Sequence, residues 1–350
     1  MNLRIIIFNI LLFSLGLNAQ DVHFSMFQMA PIGLNPALAG SFSGTARVGG
    51  IYRIQDVIGG SSANAASRGY ETYTAFLDAP VIRGIREQDW VGIGLGLTND
   101  VAGIGNVRTT SSIQSIAYHM PLGRKGRSKS TLSFAISSGT VSYSVRRVNS
   151  FSFESSLTGG IEDPIVNELQ DPMNERTRGD FGGGIMYKTN IDKVSAARGG
   201  ISVAHLNSPK RIFSNQGSAR TPVRLTGFFE YDRLLNARTK IIPALIYQNF
   251  GSNHELALQA LTGYYFDPKK DITVYAGLGA RINTLNPIDA IPIYLGFDMK
   301  DLQVRLAFDM TVSGKSYTNR GFGALELSAN YILKIYKRPK VDPSVFCPRF

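Results

Sequence analysis

The stretch LQVRLAFDMTVS, residues 302–313, decides the fold. Leu302, Val304, Leu306, Phe308, Met310 and Val312 alternate in it with Gln303, Arg305, Ala307, Asp309, Thr311 and Ser313. Side chains of an extended strand point to opposite faces in turn, so one face of this segment is apolar and the other carries charge. The run is long for a strand of a soluble protein. It matches the roughly 9–11 residues a tilted strand needs to cross a bilayer, with lipid on one face and water or a lumen on the other.

The same period of two recurs along the chain. Residues 291–300 set Ile291, Ile293, Leu295, Phe297 and Met299 against Tyr294, Gly296, Asp298 and Lys300, and residues 90–98 set Val91, Ile93, Leu95 and Leu97 against Gly92, Gly94 and Gly96. Residues 272–282 and 325–333 alternate likewise. The same template finds weaker strands at 45–54, 70–78, 110–119, 131–145, 181–188, 198–206, 223–231, 240–247 and 256–266, fourteen in all. A single-chain bacterial barrel requires an even number. The expected fold is all-β, a transmembrane outer-membrane β-barrel of about 14 antiparallel strands.

Connector lengths test this independently, because such barrels have short periplasmic turns and long outer loops. From a periplasmic start, the inner turns fall at 79–89, 120–130, 189–197, 232–239, 267–271 and Asp301, and the outer loops include 55–69, 146–180, 207–222 and 314–321. The longest connectors all fall on one side. Two inner turns carry basic clusters, Arg124-Lys125-Gly126-Arg127-Ser128-Lys129 and Lys269-Lys270. The soluble alternative is a secreted β-sandwich or two. Against it stand the strand lengths, the apolar faces without partner helices and the absence of a linker between domains of ordinary size.

Residues 1–19 read as a signal peptide, with Arg4, then an apolar run from Ile5 to Leu17, then cleavage after Ala19; no cysteine lies nearby for a lipid anchor. Beyond it no run of eighteen apolar residues offers a membrane helix. Cys347 is the one cysteine, which forbids an internal disulfide and leaves either a free thiol or one that pairs with another protein. The net charge of +11 is scattered and accompanied by no nucleic-acid-binding pattern, so nucleic acid is not an expected partner. His23, His119, His205 and His254 are the only histidines, and no metalloprotease, hydrolase or Cys–His metal spacing surrounds them. The chain is expected to be no enzyme and to need no metal or cofactor. Gly92, Gly94 and Gly96 line one strand face with no helix following, so they are not a dinucleotide fingerprint and instead leave room on the lumen side.

Ahead of the first strand, QDVHFSMFQMAPIGLNPALAGSFS, residues 20–43, keeps neither helical nor strand periodicity for long. Its Asn-Pro step is a turn former, yet small apolar residues follow, which a surface turn does not need. Residues 20–44 are therefore expected to fold into the lumen as a plug, with Asn35, Pro36, Ala37, Ala39 and Gly40 as the compact turn against the wall. The barrel then occupies 45–336, and a periplasmic tail 337–350. On the inward parity of the first and closing strands lie Arg47, Arg53, Asp298, Arg305, Asp309 and Glu326. These are expected to form one lumen charge network, either an interior salt-bridge lattice or a holder for the plug.

Gln20-Asp21, then Phe24-Ser25, then Asn35-Pro36-Ala37-Leu38-Ala39-Gly40, entering a strand with Tyr52-Arg53, resembles the start of the PorP/SprF family of Bacteroidetes outer-membrane proteins. Beyond these residues the likeness lies in length, strand rhythm and Asp171-Pro172 in the long loop. The resemblance implies an accessory of the type IX secretion and gliding machinery that helps an adhesin-type cargo reach or stay on the cell surface. Implied partners are the secreted cargo adhesin outside, type IX secretion or motility proteins in the periplasm, and outer-membrane lipid. Two other readings stand beside it, a FadL-like outer-membrane transporter for hydrophobic small molecules, whose relatives also carry Asn-Pro-Ala in an amino-terminal hatch, and a general porin. One departure from many outer-membrane barrels is the tail KRPKVDPSVFCPRF, in which Pro339, Pro343 and Pro348 forbid a further strand and Phe350 ends the chain.

Overall fold

The computed structural model describes residues 22–55, 69–86, 88–102, 106–123, 130–145, 176–210, 220–267, 271–284, 286–314, 316 and 321–335. The leader, the basic turns at 124–129 and 269–270, Asp171-Pro172 and the tail with Cys347 lie outside these residues.

Fourteen strands follow one another: β1 (Ala46–Gln55), β2 (Tyr70–Arg83), β3 (Trp90–Ala102), β4 (Val107–Leu122), β5 (Ser130–Val145), β6 (Arg176–Asn190), β7 (Ser195–Ala204), β8 (Arg224–Leu234), β9 (Thr239–Phe250), β10 (Asn253–Asp267), β11 (Ile272–Asn283), β12 (Ala290–Met299), β13 (Leu302–Thr311) and β14 (Phe322–Leu333). Each pairs antiparallel with its neighbours, and β14 pairs with β1 from Ala46↔Leu333 to Gln55↔Ala324, which closes the barrel. Closure satisfies the backbone internally and removes every sheet edge, as a lipid-embedded sheet requires. Among the described residues no helix is long and apolar enough to cross a membrane.

The alternation sorts as the pleat demands. Leu77, Ile93, Leu95, Ile136, Phe229, Leu295, Leu306 and Leu327 form an outward apolar belt, while their neighbours in sequence turn inward. One end of the barrel carries only short connectors, 84–89, 123–129, 191–194, 235–238, 268–271 and 300–301; the other carries 146–175 and 205–223. By the barrel rule the turn end is periplasmic and the loop end faces outward.

Several strands run further toward the turn end than alternation alone indicates. β2 continues to Arg83 because the ladder shifts register between Pro80 and Ile82, and this bulge absorbs a proline at which the alternation breaks. β4 continues past His119 through Pro121 to Leu122, paired with Ser130.

The apolar core lies inside the barrel, between its wall and the amino-terminal segment. That segment holds a 3-10 turn at Phe27–Met29, a single-turn helix at Pro31–Leu34 and a second 3-10 turn at Pro36–Leu38. Phe27, Leu34, Ala37 and Leu38 pack on Met186, Phe228 and Ile246; Met26, Met29 and Ala30 on Ile51, Leu261 and Tyr294; Ile32 and Ala39 on Phe76 and Ala117. Burial of these side chains supplies the hydrophobic drive for docking, about 25 cal/mol per Å² of apolar surface removed from water.

Candidate functional site

The amino-terminal segment crosses the lumen from the loop end to the turn end. Val22 and His23 lie beside Phe250, Asn253 and Glu255 at the loop end, and Ser41 to Thr45 line the turn end before β1 begins. Polar side chains of the wall grip it at three levels.

In the loop half, the carboxylate of Glu326 on β14 accepts the backbone N–H groups of Ser25 (2.7 Å) and Met26 (2.9 Å). Ser25 Oγ donates to Asp309 Oδ1 on β13 at 2.6 Å. Two guanidinium groups compensate the carboxylates. Arg53 on β1 pairs with Glu326 and reaches Asp309 at 3.2 Å, and Arg281 on β11 pairs with Asp309 and donates to Ser25 Oγ at 2.6 Å. All six residues are buried. Two cations matched to two anions, each also hydrogen-bonded, is the arrangement in which buried charge is tolerable.

At mid-height Asn35 is fully buried. Its Oδ1 accepts the Ala37 N–H at 2.9 Å, capping the 3-10 turn that Pro36 opens, while its Nδ2 donates to the carbonyls of Ile185 (3.1 Å) and Ile201 (3.2 Å) on β6 and β7. The amide fits because Gly184 and Gly200 leave the wall bare there; a Cβ on Gly200 would lie 2.9 Å from Asn35 Nδ2. Ser202 Oγ donates to the Leu34 carbonyl at 2.8 Å.

In the turn half, Asp78 on β2 accepts the Gly40 N–H at 2.8 Å and is held by Arg47 Nε and Nη2, both at 2.9 Å. Arg47 Nη2 also reaches the Leu38 carbonyl at 3.3 Å. His119 Nε2 lies 2.7 Å from the Ala39 carbonyl, so that nitrogen carries the proton and Nδ1 accepts from Ser133 Oγ at 2.8 Å. Trp90 stacks on His119 and donates to the Gly40 carbonyl at 3.0 Å. The glycine row of β3 belongs to the same contact. A side chain on Gly92 would collide with the Ala39 carbonyl, and a Cβ on Gly94 would sit 2.6 Å from Ile32.

The six inward charges fall into separate groups. Arg53, Asp309 and Glu326 meet, Arg47 stands apart with Asp78, and Arg305 joins Asp298 at 2.7 Å beneath the ring of Tyr275. The Arg305–Asp298 pair makes no hydrogen bond to the amino-terminal segment among the described residues and braces the wall. Parity places a side chain inside, but pairing also depends on height, and Arg47 lies six residues below Arg53 on one strand. Ser25, Asp78, His119 and Arg281 complete the grip and lie outside the six charges that the sequence marks. Asp78 and Arg281 share the inward parity, so the same rule applied to every strand finds them.

Two separate cavities flank the segment. One of about 110 Å³ on the loop side is lined by Phe24, Phe27, Tyr143 and His205, and one of about 730 Å³ on the turn side by Phe42, Trp90 and Lys188, with no lining residue in common. Ala37 on the segment is fully buried, and a core clash costs typically 1–3 kcal/mol. Ala37→Trp is therefore expected to displace the segment while the hydrogen-bonded barrel persists. Planar-bilayer recordings should show higher conductance with near-normal protein abundance; unchanged conductance would leave the segment a mere leader to β1.

A family model described as type IX secretion system membrane protein PorP/SprF matches residues 16–331. No curated protein sequence matches the chain. Among solved structures, the deltaS2 mutant of the TodX monoaromatic hydrocarbon channel is similar at 11% identity and TM-score 0.50, over 86% of this chain and 93% of that one. The CymD monoaromatic hydrocarbon channel matches at 10% identity and TM-score 0.47, over 91% and 96%. At these identities the likeness extends to the barrel fold alone.

Proposed function

Because this chain belongs to the PorP/SprF family of type IX secretion system membrane proteins, we propose that it is an outer-membrane accessory supporting secretion or surface attachment of a cognate adhesin-type cargo. In this reading cargo docks at the loop end, secretion or motility proteins engage the turn end, and the gripped segment is a plug that keeps the two sides separate. It acts by binding, not catalysis. The family match carries the proposal, and the separate cavities on either side of the segment support it.

The alternative, a transporter of hydrophobic small molecules, needs an apolar path. Here the segment meets the wall through Arg53, Arg281, Asp309 and Glu326, which an apolar solute would have to cross with their charges unsolvated. The test is deletion of the gene. Surface display of the adhesin, read by protease shaving of intact cells, should disappear while toluene uptake stays unchanged. Intact display with reduced uptake would select the transporter.

A further inference from the structure

The turn-side cavity is not used by the grip on the segment. Its described lining residues include three cations, Arg83, Lys188 and Lys334, and no carboxylate. Lys334 is paired with Asp301 just outside it. Arg83 and Lys188 form no ion pair with any described residue. Arg83 faces inward only because of the β2 bulge. Val81 and Ile82 both point outward across it, and the shifted register sets Arg83 opposite Trp90. A bulge that re-aims a side chain is a designed feature of a strand, and here it adds a cation to a cavity that already holds one.

We propose that this cavity docks an acidic peptide segment of a periplasmic partner protein. The volume of about 730 Å³ suits several residues of chain and far exceeds a single ion. Ser41, Ser43, Thr131 and Asn190 line it with groups able to pair a peptide backbone, and Arg83 and Lys188 select carboxylates. It lies within the ring of strands, so a lipid headgroup in the bilayer does not reach it. The chain's own neighbouring segments are poor occupants. Residues 123–129, which lead into the lining strand β5, carry four basic residues and no acidic one, and residues 336–350 carry four basic and one acidic. The long loop 146–175 at the other end carries two basic and six acidic residues, so the sign of charge assigns an acidic partner to the turn end.

This inference rests on the accessory reading, and the test separates them. A fluorescent oligoglutamate peptide is titrated against the full-length barrel in detergent and followed by anisotropy. Saturable, salt-sensitive binding is expected, weakened about tenfold or more by Arg83→Glu with Lys188→Glu, and unchanged by Arg220→Glu at the loop end. An oligolysine peptide should not bind. Equal binding by wild type and the double variant overturns the site, as does binding of phosphatidylglycerol vesicles that the double variant loses in place of peptide binding. In cells, the double variant should keep its heat-modifiable band and lose cargo display. Peptide binding lost with display intact overturns the assignment to a machinery partner. Display intact in the gene deletion overturns the accessory reading alone.

Discussion

Glu326→Ala is expected to release the amino-terminal segment while leaving a closed barrel. Its carboxylate is the acceptor for two buried backbone N–H groups and the partner of Arg53. Removing it leaves Asp309 as the one carboxylate paired with Arg53 among the described residues and strands both N–H groups without that acceptor. Truncating one member of a buried, hydrogen-bonded pair costs roughly 3–5 kcal/mol, enough to shift docking by about two to four orders of magnitude. The ladder between β14 and β1 does not depend on this side chain, so the barrel should still migrate as a compact species unless boiled. Single-channel recording should show open events that the wild type lacks. Glu326→Gln, which keeps an acceptor but loses the charge, should fall between the two. Identical traces for all three proteins would mean that the carboxylate does not hold the segment.

Leu306→Arg is expected to abolish assembly, whereas the adjacent Arg305→Leu is not. Leu306 is 38% exposed on the outer belt midway along β13, and Arg305 is 6% exposed and turned inward. An arginine at the lipid-facing midplane costs roughly 2–4 kcal/mol, while lumen positions tolerate exchange. Arg305→Leu gives up the pair with Asp298 and the contact with Tyr275, but Tyr275 still donates to Asp298 at 2.7 Å. The heat-modifiable fraction in outer membranes measures both. The reverse ranking would invert the assignment of faces along β13.

These two neighbours also mark how far the sequence could be read. Leu306 and Arg305 separate by strict alternation, a local property, and so do the fourteen strands. The bulge at Pro80–Ile82 is not local in this sense, because only the register of β3 reveals that Arg83, and not Ile82, turns inward. The grip on Asn35 is similarly hidden. Its partners are backbone carbonyls of Ile185 and Ile201, which have no side-chain signature, and the bare wall at Gly184 and Gly200 reads in sequence only as strand glycine. The Asn-Pro-Ala turn was legible because proline and small residues constrain φ and volume wherever they occur. The grouping of Arg47 with Asp78, and of Arg53 with Glu326, required the height of each residue in the barrel.

The loop-half grip straddles the seam. Arg53 belongs to the first strand and Glu326 to the last, and the residue they hold, Ser25, is 301 positions from Glu326 along the chain. Contacts of such separation form late, since the intervening chain must be ordered before they are rewarded. Closure of β14 on β1 brings Glu326 beside Arg53 and so finishes the seat that Ser25 occupies. The closed wall offers the leading residues no lateral entry, so a segment that arrives after closure enters along the barrel axis. A chain that closes empty holds Arg53 and Glu326 around a vacant seat, and because the strand ladder is complete without the occupant, closure and occupancy are two steps that substitution can pull apart.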